Sequence, residues 1–96
     1  MNAAGTRKVG FDLQEGSDDN RFLVEAISAD NPEAVVTSMP GLMRVQAPGR
    51  MVINRDSVEQ RLGRPWETHE FQLAIVSYFG QIAEWDDDQI VIGWQH

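Results

Sequence analysis

Val9-Gly10-Phe11-Asp12-Leu13, followed by Gly16-Ser17-Asp18-Asp19 and then by Phe22-Leu23 and Ala26-Ile27, decides how this 96-residue chain begins to fold. Val9, Phe11 and Leu13 alternate with Gly10 and Asp12, the period-2 pattern of a strand with one buried face. Gly16 interrupts that pattern. Ser17 is a good N-cap, and Asp18 and Asp19 place carboxylates at the positive end of a helix. Phe22, Leu23, Ala26 and Ile27 define one apolar helical face. Asn31-Pro32 ends the helix, because proline drives the residue before it out of the helical region.

Working outward, two strands are predicted at Ala34–Ser38 and Leu42–Gln46, joined by the turn Met39-Pro40-Gly41. Pro48-Gly49 breaks the chain again before a short strand at Met51-Val52-Ile53. Asn54 caps a second helix with Val58 and Leu62 on its inner face, Gly63 at its C-terminus and Pro65 beyond it. In the last third Phe71, Leu73 and Ile75 alternate with polar or small neighbours, which favours a strand running to about Phe79. A helix over residues 67–76 competes with it, since a short apolar run does not separate the two. Asp86-Asp87-Asp88 reads as a polar turn, and Ile90, Ile92 and Trp94 as a closing strand. The order predicts a small single α+β domain, with two main helices packed on mostly antiparallel sheet. Residues 1–8 are expected to form a flexible N-terminal segment and residues 9–96 the domain.

Composition narrows the function. With 42% apolar and 24% charged residues the chain has an ordinary globular make-up. It holds no cysteine, which removes disulfides, thiolate zinc sites and iron–sulfur ligation and fits a reducing cytoplasm. Met1–Lys8 lacks the apolar core of a signal peptide, and no apolar run approaches the roughly 20 residues of a membrane span. No membrane association is expected. The net charge of −7 argues against nucleic acid, whose binding rests on Lys and Arg neutralising phosphates. The charge is −4 over residues 1–33, +3 over residues 34–64 and −6 over residues 65–96. The basic stretch, with Arg44, Arg50, Arg55, Arg61 and Arg64, gives an oriented field able to steer a protein partner.

Candidate catalytic groups are few. His69 and His96 are the only histidines, and Ser28, Ser38, Ser57 and Ser77 lack the Gly-x-Ser-x-Gly context of a nucleophile elbow. Glu67-Thr68-His69 has the wrong spacing for a carboxylate di-iron pair. Asp86-Asp87-Asp88 does not continue as a calcium loop, since that needs glycine at Val91. The glycines follow no phosphate-loop spacing. No metal or cofactor site is predicted. Trp66, Tyr78 and Phe79 lie near element ends, where an aromatic close to arginine can anchor a protein interface.

Five segments occur in order: Phe22-Leu23-Val24-Glu25-Ala26-Ile27, Asp30-Asn31-Pro32-Glu33-Ala34-Val35-Val36, Ile53-Asn54-Arg55-Asp56-Ser57-Val58-Glu59, Leu62-Gly63-Arg64-Pro65-Trp66 and Ser77-Tyr78-Phe79-Gly80. Together they resemble the effector (coupling) proteins of bacterial soluble di-iron multicomponent monooxygenases, a family that includes the methane monooxygenase regulatory protein. The wording looks closest to the phenol hydroxylase branch. The resemblance implies a non-catalytic, cofactor-free component that binds the di-iron hydroxylase, controls substrate and oxygen access, and couples electron transfer to hydroxylation. It also implies that the hydroxylase meets the segment before Gly80, namely Val76, Ser77, Tyr78, Phe79 and Gly80. Arg55, Arg64 and Trp66 complete the expected partner-binding set. In the methane branch this segment is rich in small polar residues, a character that only Ser77 keeps here. Two other readings stand beside this one: an unrelated α+β interaction module that recognises an acidic partner, and a small enzyme built on His69.

Overall fold

A computed structural model describes residues 7–94. The elements are β1 (Lys8–Gln14), α1 (Asp18–Asp30), β2 (Val35–Met39), β3 (Leu42–Pro48), β4 (Arg50–Asn54), α2 (Arg55–Leu62), α3 (His69–Ala74), β5 (Ile75–Phe79), β6 (Gln81–Trp85) and β7 (Gln89–Gly93). Of the expected flexible segment, residues 1–6 lie outside the described residues, whereas Lys8 already opens β1.

The strands form two antiparallel sheets, one of order β2-β3-β1-β5 and one of order β4-β7-β6. With the three helices they make the α+β domain that the sequence predicts. Val9, Phe11 and Leu13 of β1 are fully buried and join a core with Leu23, Val24, Ala26 and Ile27 of α1. Met51, Ile53, Ile90 and Ile92 of the second sheet, Val58 of α2 and Phe71 of α3 close the same core. The alternation in β1 is real, yet both of its faces are covered, since Asp12 is only 5% exposed and Gly10 is buried as well. A Cβ on Gly10 would run into the Val45 carbonyl oxygen and lie 3.0 Å from the Phe79 ring, so glycine is what lets that ring cover the outer side of β1.

Local signals set the helix ends. The Ser17 hydroxyl accepts the Asn20 N–H, and the Asn54 side chain accepts the Ser57 N–H, both acting as N-caps. Gly63 ends α2 at φ 74° in the left-handed conformation. Asn31 does more than stop α1. Its Nδ2 donates to the Ile27 and Val52 carbonyls at 2.8 Å each, and its Oδ1 accepts the Val52 N–H at 3.0 Å. The amide thus stands in for a strand neighbour along the open edge of β4.

The strand expected from about Phe71 to Phe79 begins only at Ile75, and the residues before it are helical. Glu70 reaches back so that its carboxylate accepts the Glu67 N–H at 2.8 Å, as a capping-box acid does. Phe71 is the one buried residue of α3, edge-on to Phe11 with ring centroids 4.9 Å apart, and Ala74 packs partly buried against the same core. Leu73, the next apolar residue, is 79% exposed, so the alternation here follows no buried sheet face.

Gly80 turns the chain from the first sheet into the second. Its φ is 110°, and a Cβ there would lie 2.8 Å from Val9 Cγ1 and 2.9 Å from Ile92 Cγ2. Gly63 has a similar φ but open space around it. Gly80→Ala is therefore expected to cost about 3 kcal/mol, strain and overpacking together, against about 1 kcal/mol for Gly63→Ala. Urea unfolding midpoints of the two variants check this.

Candidate functional site

Asp12 is where sequence and energetics disagree most openly. It is a carboxylate almost out of water, on the face of β1 opposite the core residues Phe11 and Leu13. Register explains its partners: Arg44 of β3 faces it on one side and Ser77 of β5 on the other. Arg44 Nε donates to Oδ1 at 2.8 Å and Nη2 donates to Oδ2 at 3.1 Å, a two-pronged pair. Ser77 Oγ donates to Oδ2 at 3.0 Å. The Arg44 guanidinium also lies over the Phe79 ring, 5.2 Å from its centroid. Chiefly through the Arg44 hydrogen bonds, the Asp12 carboxyl is held below its ordinary pKa; burial opposes this, and the Ser77 bond and the Arg44 charge add to it.

This network anchors β5, which is the last strand in its sheet and has β1 as its single neighbour. Between the pairs Asp12–Ser77 and Leu13–Ile75 the register shifts, leaving Val76 as the extra residue of a bulge. Val76 is 55% exposed and Tyr78 49% exposed. With Leu73 at the end of α3, three large apolar side chains within six residues face water. Large apolar side chains this exposed and this close in sequence make the stretch a candidate for cover by another molecule, although Val35 and Val36 of β2 are exposed as well. Ser77 is exposed in the same stretch, and Phe79 and Gly80 are half-buried beside it.

The remaining residues of the expected partner-binding set are placed differently. Trp66 is 4% exposed and belongs to the core, so its indole is no surface anchor. Its backbone N–H donates to Glu59 Oε2 at 2.9 Å, and that bond, with Arg55 nearby, lowers the Glu59 pKa. Arg55 is committed within the fold, donating to Glu59 and to the Asp87 carbonyl and so tying α2 to the β6–β7 turn. Arg64 bridges Asp19 at 2.9 Å and Glu70 at 3.5 Å, linking the starts of α1 and α3. Neither arginine joins the Val76–Gly80 segment through these bonds. His69 is exposed, with Glu67 Oε1 3.5 Å from its Nδ1, and among the described residues no serine hydroxyl bonds to it. Leu73 was not singled out from the sequence. The signal for it is an apolar residue on a helix whose only buried side chain is Phe71, which becomes legible once the helix is known.

The sign of the pH effect follows from the lowered pKa of Asp12. Its contribution to stability is full above the unfolded-state pKa of about 4 and is lost as pH falls through the lower folded value. Asp12→Asn is expected to cost about 1–2 kcal/mol at pH 7, and its deficit relative to the unaltered protein to shrink below about pH 4. Thermal melts of both proteins from pH 2 to pH 7 test this.

Comparison with known proteins agrees with this architecture. The sequence model of the MmoB/DmpM family matches residues 7–93. The chain is 39% identical over 82 residues to the stimulatory component DmpM of phenol 2-monooxygenase from Pseudomonas sp. (strain CF600), covering 85% of this chain and 90% of that protein. A chain in a solved phenol hydroxylase–regulatory protein complex superposes with TM-score 0.85 at 38% identity, covering 93% of this chain and 100% of the other. Regulatory protein B of soluble methane monooxygenase, at 21% identity, shares the fold with TM-score 0.72 over 92% of this chain and 65% of its own length. An unrelated interaction module is thereby ruled out: the chain belongs to the MmoB/DmpM family.

Proposed function

We propose that this chain is the non-catalytic effector of a phenol hydroxylase-like di-iron monooxygenase, acting in the cytoplasm by docking onto the hydroxylase component. The observation that carries this reading is the similarity, over nearly the whole chain, to a stimulatory component and to a chain of a hydroxylase–regulatory protein complex. The exposed stretch Leu73–Gly80 supplies the physical means. Leu73, Val76 and Tyr78 offer apolar area whose cover by a partner is favourable, and Tyr78 adds an aromatic anchor with a polar tip. Arg55, Arg64 and Trp66 act within the fold in this reading: Arg55 ties α2 to the β6–β7 turn, Arg64 links the starts of α1 and α3, and Trp66 packs in the core.

An effector without chemistry of its own acts by binding one conformation of its partner better than another. Shifting a hydroxylase from one-tenth to nine-tenths active needs about an 80-fold difference in affinity, or about 2.6 kcal/mol. Two or three buried anchors supply that much. In this reading the effector controls access of substrate and oxygen to the hydroxylase and the coupling of electron transfer to hydroxylation. The substrate pocket belongs to the hydroxylase, and a phenol is the substrate class that the similarity favours.

The test is steady-state oxidation by the purified cognate hydroxylase with its electron-transfer components, titrated with this protein. Product and NADH consumption are followed together. Product per NADH is expected to rise and saturate near one effector per active site; indifference of both quantities overturns the reading. Leu73→Ala and Tyr78→Ala are each expected to raise the half-saturating concentration about tenfold or more while leaving the melting temperature nearly unchanged, since both side chains lie largely outside the core.

A further inference from the structure

Ser77 differs from an ordinary exposed serine in one chemical respect. A serine hydroxyl normally rotates and offers either its hydrogen or its lone pairs to whatever approaches. Asp12 removes that freedom. An ionised carboxylate accepts and cannot donate, so in the 3.0 Å bond between them Ser77 is the donor. Geometry keeps Asp12 in that role. Arg44 holds both carboxylate oxygens through its two-pronged pair and is itself steadied over Phe79. The pair lies 65 residues apart in sequence and is brought together by the β1–β5 register. What Ser77 turns toward solvent is therefore an oxygen with acceptor lone pairs only, on the Asp12 face of β5, and its neighbours in sequence, Val76 and Tyr78, are exposed as well.

We propose that Ser77 is a polarity filter on the docking strand: it accepts a hydrogen bond from an N–H group of the hydroxylase, with its own hydrogen held inward by Asp12. This rests on the effector reading above and adds to it the chemistry of one contact. The partner group is a backbone amide or an Asn, Gln, Arg or Lys side chain, and a carboxylate or carbonyl of the hydroxylase at that point is rejected. Asp12 is a positioning residue here, because it acts only through Ser77. An ion pair whose carboxylate is buried while its arginine side chain is 42% exposed adds little net stability, and fixing the polarity of a contact residue gives this one a use that an apolar pair could not provide.

A double-mutant cycle on affinity for the purified hydroxylase tests the proposal. Ser77→Ala is expected to weaken docking on the order of tenfold through loss of one hydrogen bond at a desolvated interface, and Ser77→Thr, which keeps the hydroxyl, to stay close to the unaltered protein. Asn at position 12 offers one oxygen where Asp12 offers two, so three donors compete for it and the Ser77 hydrogen is no longer held inward. Asp12→Asn is accordingly expected to weaken docking severalfold when Ser77 is present and to add nothing to Ser77→Ala. An equal loss in both backgrounds would mean a merely structural Asp12 and overturns the proposal, as does no loss in either. Should Asp12→Asn fail to fold, the hydroxyl proton of Ser77 in the unaltered protein decides by NMR: a slowly exchanging resonance is expected, and exchange at the rate of a solvated serine overturns it. Failure of the effector reading itself looks different, since then the unaltered protein does not bind the hydroxylase at all.

Discussion

Everything in this domain is arranged around β1, a strand that has a partner on each side and a covered surface on each face. A strand in that position leaves no backbone group to water, so every residue along it needs a specific environment. Val9, Phe11 and Leu13 meet theirs in the core. Gly10 meets its own by having no side chain, which lets Phe79 lie across it. Asp12 is the demanding member, because a buried carboxylate without partners would be prohibitively costly. Arg44 and Ser77 resolve that cost from the strands on either side, and in doing so they lock three strands into one register.

From this the form of the exposed surface follows. β5 is held to β1 on one side by ladder bonds and by the Asp12–Ser77 contact, and Gly80 fixes where it must leave the sheet. The bulge at Val76 falls between the Leu13–Ile75 pair and the Asp12–Ser77 contact. The strand is thus tied to β1 on both sides of the bulge. Apolar residues held on a rigid edge bind at lower entropic cost than the same residues on a loose loop. A small protein with no catalytic apparatus needs that advantage, since its effect on a partner is limited to what its docking energy can shift.

Much of this was legible in the sequence, and for physical reasons. Ser17, Asn54, Gly63 and the Met39-Pro40-Gly41 turn act through bonds that span a few residues, so their roles are visible in a short window. The Asp86-Asp87-Asp88 turn is of the same kind: Asp86 Oδ1 accepts the N–H groups of Asp88 and Gln89. What escaped depends on distant partners. Asp12 looked like the polar half of an alternating strand because Arg44, 32 residues away, is what buries it. Trp66, after a helix stop, reads either as core or as a partly exposed anchor; the Glu59 carboxylate accepts its backbone N–H and the core takes up its ring.

The strand expected at Phe71–Phe79 shows a more general constraint. Phe71, Leu73 and Ile75 carry the period of a sheet face, yet only Phe71 is fully buried and Leu73 is mostly in water. Periodicity reports burial only when burial is what each apolar residue is for. An apolar residue left in water, as Leu73 is, enters the pattern as noise and pushes the reading toward the wrong period. The misread element is therefore also the one that carries the proposed docking residues. In a protein that works by being covered by another, a place where local pattern and fold disagree is the place to propose that a second molecule completes the surface.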